Sequence, residues 1–386
     1  MPLLSTFKKP LAIAMWDFSW MLRHRKGDSF EDFETVIGDL VERGYNAVRI
    51  DAFPQLIASD GNGKQEETFN FTKGGFGLTM WGNNFTVRDM NPRIALKEFM
   101  QVCEKKGVYV GLSTWFFGDD AGRHKTFQGI DAFVRAWDET LTFLKEENLL
   151  NNVIYVDLLN EYPCYHGFEW MEKSLDLLKY PEEEGKKYNQ KQIAFYNNFI
   201  TECLQQLKAK WQGFTFFASQ TEISDVDWLD VDFKEFMAID KHIWACLLPG
   251  VTDETNYWEG IFTAKGDAGF EDAYKKIMER WTANREKFKE TFASFIKLAG
   301  DKAKELNVPV GNTEGWGSIN WYDHPDLDWE WIKDSAEIAV DACLENAYTF
   351  ICTSNFTHPH FDIWNDIEWH KKICEKIKNG VTFNNA

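Results

Sequence analysis

Two glutamates, Glu161 and Glu314, stand where apolar runs stop. The first follows Asn160 at the end of Val153-Ile-Tyr-Val-Asp-Leu-Leu, and the second closes Val308-Pro-Val-Gly-Asn-Thr. Short apolar runs of this kind read as buried strands, so each carboxyl is expected at a strand end facing a loop. In a parallel α/β barrel those ends open on one face, where residues distant in sequence converge. Two carboxyls facing each other there could break a glycosidic bond. In the retaining form one protonates the leaving oxygen while the other attacks the anomeric carbon, with the two about 5–5.5 Å apart.

Arg49 lies inside Asn46-Ala-Val-Arg-Ile-Asp51. A charge within an apolar strand needs a carboxylate partner, and Asp51 is the candidate close in sequence. Asp17, Asp157 and Asp240 also fall near strand ends, where each could bind a sugar hydroxyl or brace a neighbour from behind. The pair His358-Pro-His360 could point two imidazoles at one metal, but no further His/Asp set of that kind accompanies it, so neither metal nor cofactor is expected. The chain shows no serine-nucleophile elbow, phosphate-binding glycine loop or calcium loop.

Strand-like and helix-like segments alternate along the whole chain. Strands are expected over 11–17, 46–51, 108–115, 153–159, 214–219, 236–244, 308–314 and 349–353. A first helix is expected from a cap at Asp28-Ser29, with Phe30, Phe33, Ile37, Leu40 and Val41 inward and Gly44 as its end. Asn91-Pro92 should open another, with Ile94, Leu96, Phe99 and Cys103 inward and Gly107 after it. Eight strand-helix units without repeat or linker predict one domain over 1–386, a (β/α)8 TIM barrel with long loops after strands 2, 4, 6 and 8. The alternative, an open doubly wound sheet, lacks a glycine-rich phosphate turn after its first strand.

With these elements in order, the chain resembles the cellulase-like branch of the clan A glycoside hydrolases, retaining β-glycosidases on (β/α)8 barrels. In that clan an Asn-Glu ends the fourth strand and supplies the acid/base, matched by Asn160-Glu161. The nucleophile ends the seventh, matched by Glu314. The resemblance implies that Arg49 contacts the nucleophile and that His242, two residues before Trp244, faces the substrate. It also implies a tryptophan in the eighth loop, for which Trp364 is the match. Trp244 stands where the clan often has a tyrosine, and Asn355, His358 and His360 follow the eighth strand where a tryptophan is usual. Arg49 beside Glu314 would hold that carboxylate charged, and the charge would keep a proton on Glu161. Asn160 could bond a sugar 2-hydroxyl. Trp16, Trp20, Trp81, Trp115, Trp316 and Trp364 are candidates for stacking on sugar rings or for the core.

Composition supports a carbohydrate reading by exclusion. The net charge of −19 disfavours nucleic acid and anionic membranes. No apolar stretch approaches the roughly 20 residues that span a bilayer. The 17 tryptophans exceed what a core needs and suit sugar platforms. The seven cysteines form no CxxC pair, which, with no leader-like start, predicts reduced thiols and a cytoplasmic location. The expected activity is retaining hydrolysis of β-linked gluco- or manno-configured oligosaccharides. A non-catalytic sugar-binding barrel, a transglycosidase and a metal-dependent hydrolase are the alternatives.

Overall fold

A computed structural model of the chain describes residues 2–73, 80–163, 170, 189–221, 231–245, 248, 250–251, 254, 266–317 and 327–383. Most of the insert expected after the fourth strand and much of the loop after the sixth lie outside the described residues, as do Cys164 and Cys246.

Eight parallel strand positions form one curled sheet: β1 Leu11–Asp17, β2 Ala47–Asp51, β3 Tyr109–Ser113, β4 Val153–Asp157, β5 in two pieces (Phe216–Phe217 and Gln220–Thr221), β6 Ile239–Trp244, β7 in two pieces (Val310–Asn312 and Gly315–Trp316) and β8 Phe350–Cys352. Neighbours pair in sequence order from β1 to β4, and β8 pairs back onto β1. The two pieces of β5 split their duties. Phe216–Phe217 pairs with β4, whereas Gln220–Thr221 pairs with β6, and this division closes the ring. The strands are buried on both faces, as a parallel sheet wrapped by helices requires. The result is the expected TIM-barrel architecture.

Bulky aromatics fill the lower barrel. Tyr155 on β4 packs against Phe217 and Phe350, with ring centroids 5.1 and 5.7 Å away. This needs glycine on two neighbouring strands. A Cβ on Gly111 would lie 2.0 Å from the Tyr155 ring, and one on Gly311 would lie 2.2 Å from Phe350. Strand register sets Arg49 level with Tyr155, through Gly111, and Asp240 level with Phe350, through Gly311.

The helices α1 Phe33–Glu42, α2 Pro92–Lys106, α3 Ile130–Glu146, α4 Gln190–Lys210, α5 Gly266–Ala283, α6 Arg285–Leu306, α7 Glu330–Glu345 and α8 Ile367–Lys378 include those that wrap the barrel. The Asn91 cap, Pro92 at the first turn and the left-handed Gly107 close α2 as its sequence predicts, though Ile94 is exposed rather than inward. The first helix departs further. Its cap is Asp32, which accepts from the Glu34 amide, because Asp28 is taken up by ion pairs with Arg23 and Arg25; Val41 is exposed. The loop after β2 carries the short helix Pro54–Ile57 and a two-stranded hairpin, Phe69–Phe71 with Val87–Met90. Among the described residues no helix is long and apolar enough to cross a membrane. The described cysteines, Cys103, Cys203, Cys343, Cys352 and Cys374, are all free and buried.

Candidate active site

Glu314 sits in the break between the two pieces of β7. The residues on either side are pinned: Thr313 donates its amide and hydroxyl to Asp240 at 2.9 and 2.6 Å, and the Gly315 amide donates to Asn355 Oδ1 at 2.6 Å. Glu161 lies four residues past β4 and is pinned in the same manner. The amides of Asn160, Glu161 and Tyr162 donate to Thr114 O, Ser219 Oγ and Ser219 O. Glu161 itself has φ of 49°, a left-handed conformation that costs a side-chain-bearing residue about 1–3 kcal/mol and persists where surroundings over-determine it.

Both carboxyls point inward and meet. One ligating atom from each of Glu161, His242 and Glu314 lies within 4.8 Å of the other two. Arg49 rises from β2 into the same space with no exposed surface. Its Nη1 donates to Glu314 Oε2 at 2.8 Å and stands 2.8 Å from Asp17 Oδ1 as an ion pair. Its Nη2 donates to Ser113 Oγ at 3.1 Å and to Asn160 Oδ1. Asp51 is not its partner, for that carboxylate accepts the Phe53 and Trp115 amides at 2.7 and 2.8 Å.

β6 delivers the third side. His242 Nδ1 lies 3.1 Å from Glu161 Oε1 and 3.6 Å from Glu314 Oε2, while Nε2 lies 3.1 Å from Thr313 Oγ1. Burial pulls this imidazole down, but Asp240 and Glu314, helped by hydrogen bonds to Asp240 and Glu161, carry it to about 10. His242 is therefore an imidazolium that donates from both nitrogens. Trp244 donates its indole N–H to Glu161 Oε1 at 3.2 Å. Where the clan pattern has a tyrosine reaching the nucleophile, this tryptophan reaches the other glutamate. Glu161 Oε2 makes no hydrogen bond among the described residues.

Burial pushes Glu314 up to about 8, against the pull of His242 and Arg49. This departs from the expectation that Arg49 alone keeps Glu314 ionised. Asp157 rises to about 6 for the same reason, partly offset by Arg49. Glu161, His242 and Glu314 form a set that could ligate a metal. The Arg49 guanidinium on Glu314 and the imidazolium facing both carboxyls already occupy the positions a cation would need.

The tryptophans divide. Trp115 donates to Asp17 Oδ2 at 2.8 Å and so borders the carboxylate cluster, and Trp81 and Phe18 pack behind it against its ring. Trp16, Trp20, Trp316 and Trp364 lie in the core instead. Their partners are Phe30 and Phe99, Phe33 and Phe99, Phe292, and Tyr45 with Arg43. The indole N–H groups of Trp16, Trp20 and Trp316 are spent on backbone carbonyls. None of these four is placed to stack on a sugar. Asn355 braces Gly315, His358 bonds Ser19 at 2.7 Å and His360 bonds the Trp81 carbonyl at 2.7 Å. Ser113, Ser219 and Thr313 tie the cluster together. Thr313 directly precedes a candidate acid in sequence, whereas Ser113 and Ser219 reach Asp157 only through strand pairing.

The sugar-binding cellulase-like family profile matches residues 13–378. A candidate glycoside hydrolase from Parabacteroides distasonis is similar over 97% of this chain and 95% of its own, at 25% identity and a TM-score of 0.82. A GH5_18 protein from Streptomyces cattleya, solved with GlcNAc, shares the fold at a TM-score of 0.52 and 10% identity, covering 96% of this chain and 80% of its own. An endo-β-1,4-mannanase from Thermotoga petrophila does so at 0.50 and 10%, covering 98% and 79%. No curated protein matches the chain significantly. A profile match across nearly the entire barrel, on a site of paired glutamates and a buried arginine, places the chain in the sugar-binding cellulase-like family.

Proposed function

We propose that the chain is a retaining β-glycosidase that hydrolyses β-linked gluco- or manno-configured oligosaccharides through a covalent glycosyl-enzyme, with Glu161 as acid/base and Glu314 as nucleophile. The observation that carries the reading is that one oxygen of each carboxyl lies within 4.8 Å of the other, with His242 facing both. Inverting enzymes hold their carboxyls about 6.5–9.5 Å apart to admit a water, whereas retaining ones need about 5–5.5 Å.

Arg49 on Glu314 Oε2 favours the charged form that the attack requires, against the burial that raises this carboxyl. His242 and Trp244 engage Oε1 of Glu161, which leaves Oε2 to carry the proton toward the leaving oxygen. In the first step Glu314 attacks the anomeric carbon as the glycosidic oxygen takes the Glu161 proton and departs. In the second, Glu161 removes a proton from water, which attacks the same carbon and releases Glu314. Asn160, bonded to Arg49 through its carbonyl, presents its amide group for the sugar 2-hydroxyl. Trp115, beside Asp17, supports a sugar-facing wall. The free, buried cysteines support a reducing, cytoplasmic setting, and no metal or cofactor enters either step.

The test is a screen of aryl β-glycosides and β-oligosaccharides with wild type and Glu314→Ala side by side, with the first-formed anomer read by NMR. Hydrolysis with retained configuration by wild type alone is expected. An inverted first product would remove the double-displacement mechanism.

A further inference from the structure

We propose that Ser219 is the positioning residue of the acid/base, holding Glu161 in its working orientation from a fixed point on Asp157. The proposal rests on the glycosidase reading above. Ser219 lies between the two pieces of β5, where that strand leaves β4 and joins β6. It grips both peptide units flanking the Glu161 Cα. Its Oγ accepts the Glu161 amide at 3.0 Å, and its carbonyl accepts the Tyr162 amide at 2.8 Å.

Asp157 sets the direction of that grip. Its two oxygens accept the Ser219 amide and hydroxyl, each at 2.8 Å. The Ser219 O–H is thus turned toward Asp157, and an oxygen lone pair is left for the Glu161 N–H. Asp157 also accepts Ser113 Oγ at 2.7 Å, and Ser113 in turn accepts from Arg49, which holds Glu314. All these groups are buried. Both reacting carboxyls are therefore referenced to one carboxylate beneath them, a connected network of the kind that fixes a site's geometry.

Without the Ser219 hydroxyl, the Glu161 amide is a buried donor with no acceptor, and its left-handed backbone loses the bond made at Glu161 itself. The backbone relaxes and the carboxyl turns from the leaving oxygen. The consequence is specific to proton donation. Substrates whose leaving group departs unaided should not notice the change, whereas unactivated glycosides should.

The experiment compares wild type with Ser219→Ala and Ser219→Cys on dinitrophenyl, nitrophenyl and alkyl β-glycosides of the same sugar. For Ser219→Ala, glycosylation from the dinitrophenyl glycoside should stay within about threefold of wild type. With the alkyl glycoside kcat/KM should fall about 10–100-fold, part of what a general acid contributes. Ser219→Cys keeps the side chain's size with a weaker acceptor and should fall between, which provides a folded variant if alanine does not. On a Glu161→Ala background with azide supplying the nucleophile, Ser219→Ala should cause no further loss. Equal loss on every leaving group, or a further loss on that background, would make Ser219 merely structural and overturn the proposal. Wild type inert toward all β-glycosides would instead remove the glycosidase reading, and this proposal with it.

Discussion

Replacing Arg49 with methionine removes a guanidinium that stands 2.8 Å from Glu314 and from Asp17 and 3.9 Å from Asp157. Methionine fills much of the volume and returns none of the charge. At an effective dielectric constant near 20, opposite unit charges about 4 Å apart attract by about 4 kcal/mol, which is worth about a thousandfold in an ionisation equilibrium. Glu314, already pushed up to about 8 by burial, would then hold its proton more tightly still. The population with a charged nucleophile should shrink about 100- to 1,000-fold at neutral pH. The glycosylation rate should shrink with it, and the acidic limb of its pH profile, set by ionisation of Glu314, should move to higher pH. The assay is the pre-steady-state burst from a dinitrophenyl β-glycoside, which isolates glycosylation from turnover. A melting curve should accompany it, since breaking a buried ion pair from one side costs about 3–5 kcal/mol. Arg49→Lys keeps the charge without the two-pronged geometry and should be intermediate. A burst rate and pH profile like wild type's in a folded Arg49→Met would refute the reasoning and leave Arg49 a structural ion-pair member.

Two further outcomes follow from the site. Trp244→Phe removes one donor from Glu161 Oε1 while keeping a ring in place; kcat on an unactivated oligosaccharide should fall about 10-fold, as for the loss of one hydrogen bond, and no change would exclude Trp244 from the acid/base function. Glu314 is raised in the folded state from 4.5 to about 8, and His242 from 6.5 to about 10, so each binds its proton more tightly folded than unfolded. Their stabilisation is complete below the unfolded values and is lost as pH rises, through 4.5–8 for Glu314 and 6.5–10 for His242. Urea titrations should therefore show wild type losing more stability than Glu314→Gln between pH 5 and pH 8; equal losses would contradict the raised carboxyl.

The barrel was legible because burial on both faces leaves a plain signature in sequence. Residues 153–156 and 308–311 are apolar, and polar groups enter only toward the mouth, with Asp157, Asn160 and Glu161 in one run and Asn312, Thr313 and Glu314 in the other. Arg49 was legible as a charge that had to be paired; its partner Glu314 was legible only through the family resemblance, not from the spacing of the residues. Asp51 is nearer in sequence, and only closure of the ring brings Glu314 across 265 residues to the guanidinium. The tryptophans were ambiguous because a strand-end indole can turn to the mouth or to a helix behind the sheet. Trp115 and Trp244 took the first course, and Trp16, Trp20, Trp316 and Trp364 the second. Ser219 escaped notice because its importance lies in where β5 divides, a feature of pairing rather than of residue type. The displaced start of α1 has a similar cause: Asp28 and Asp32 are equally good caps in sequence, and Arg23 and Arg25 decide between them.

The most direct test of the account is the stereochemistry of azide rescue in Glu161→Ala and Glu314→Ala. If Glu314 is the nucleophile, Glu314→Ala is inactive on every substrate, and azide, attacking from the vacated face, yields the glycosyl azide of opposite anomeric configuration to the substrate. If Glu161 is the acid/base, Glu161→Ala still forms the glycosyl-enzyme from an activated aryl glycoside. Azide then displaces Glu314 and gives the product with retained configuration. Identical stereochemical outcomes from the two variants, or full activity of either on an unactivated oligosaccharide, would contradict the assignment of the two glutamates.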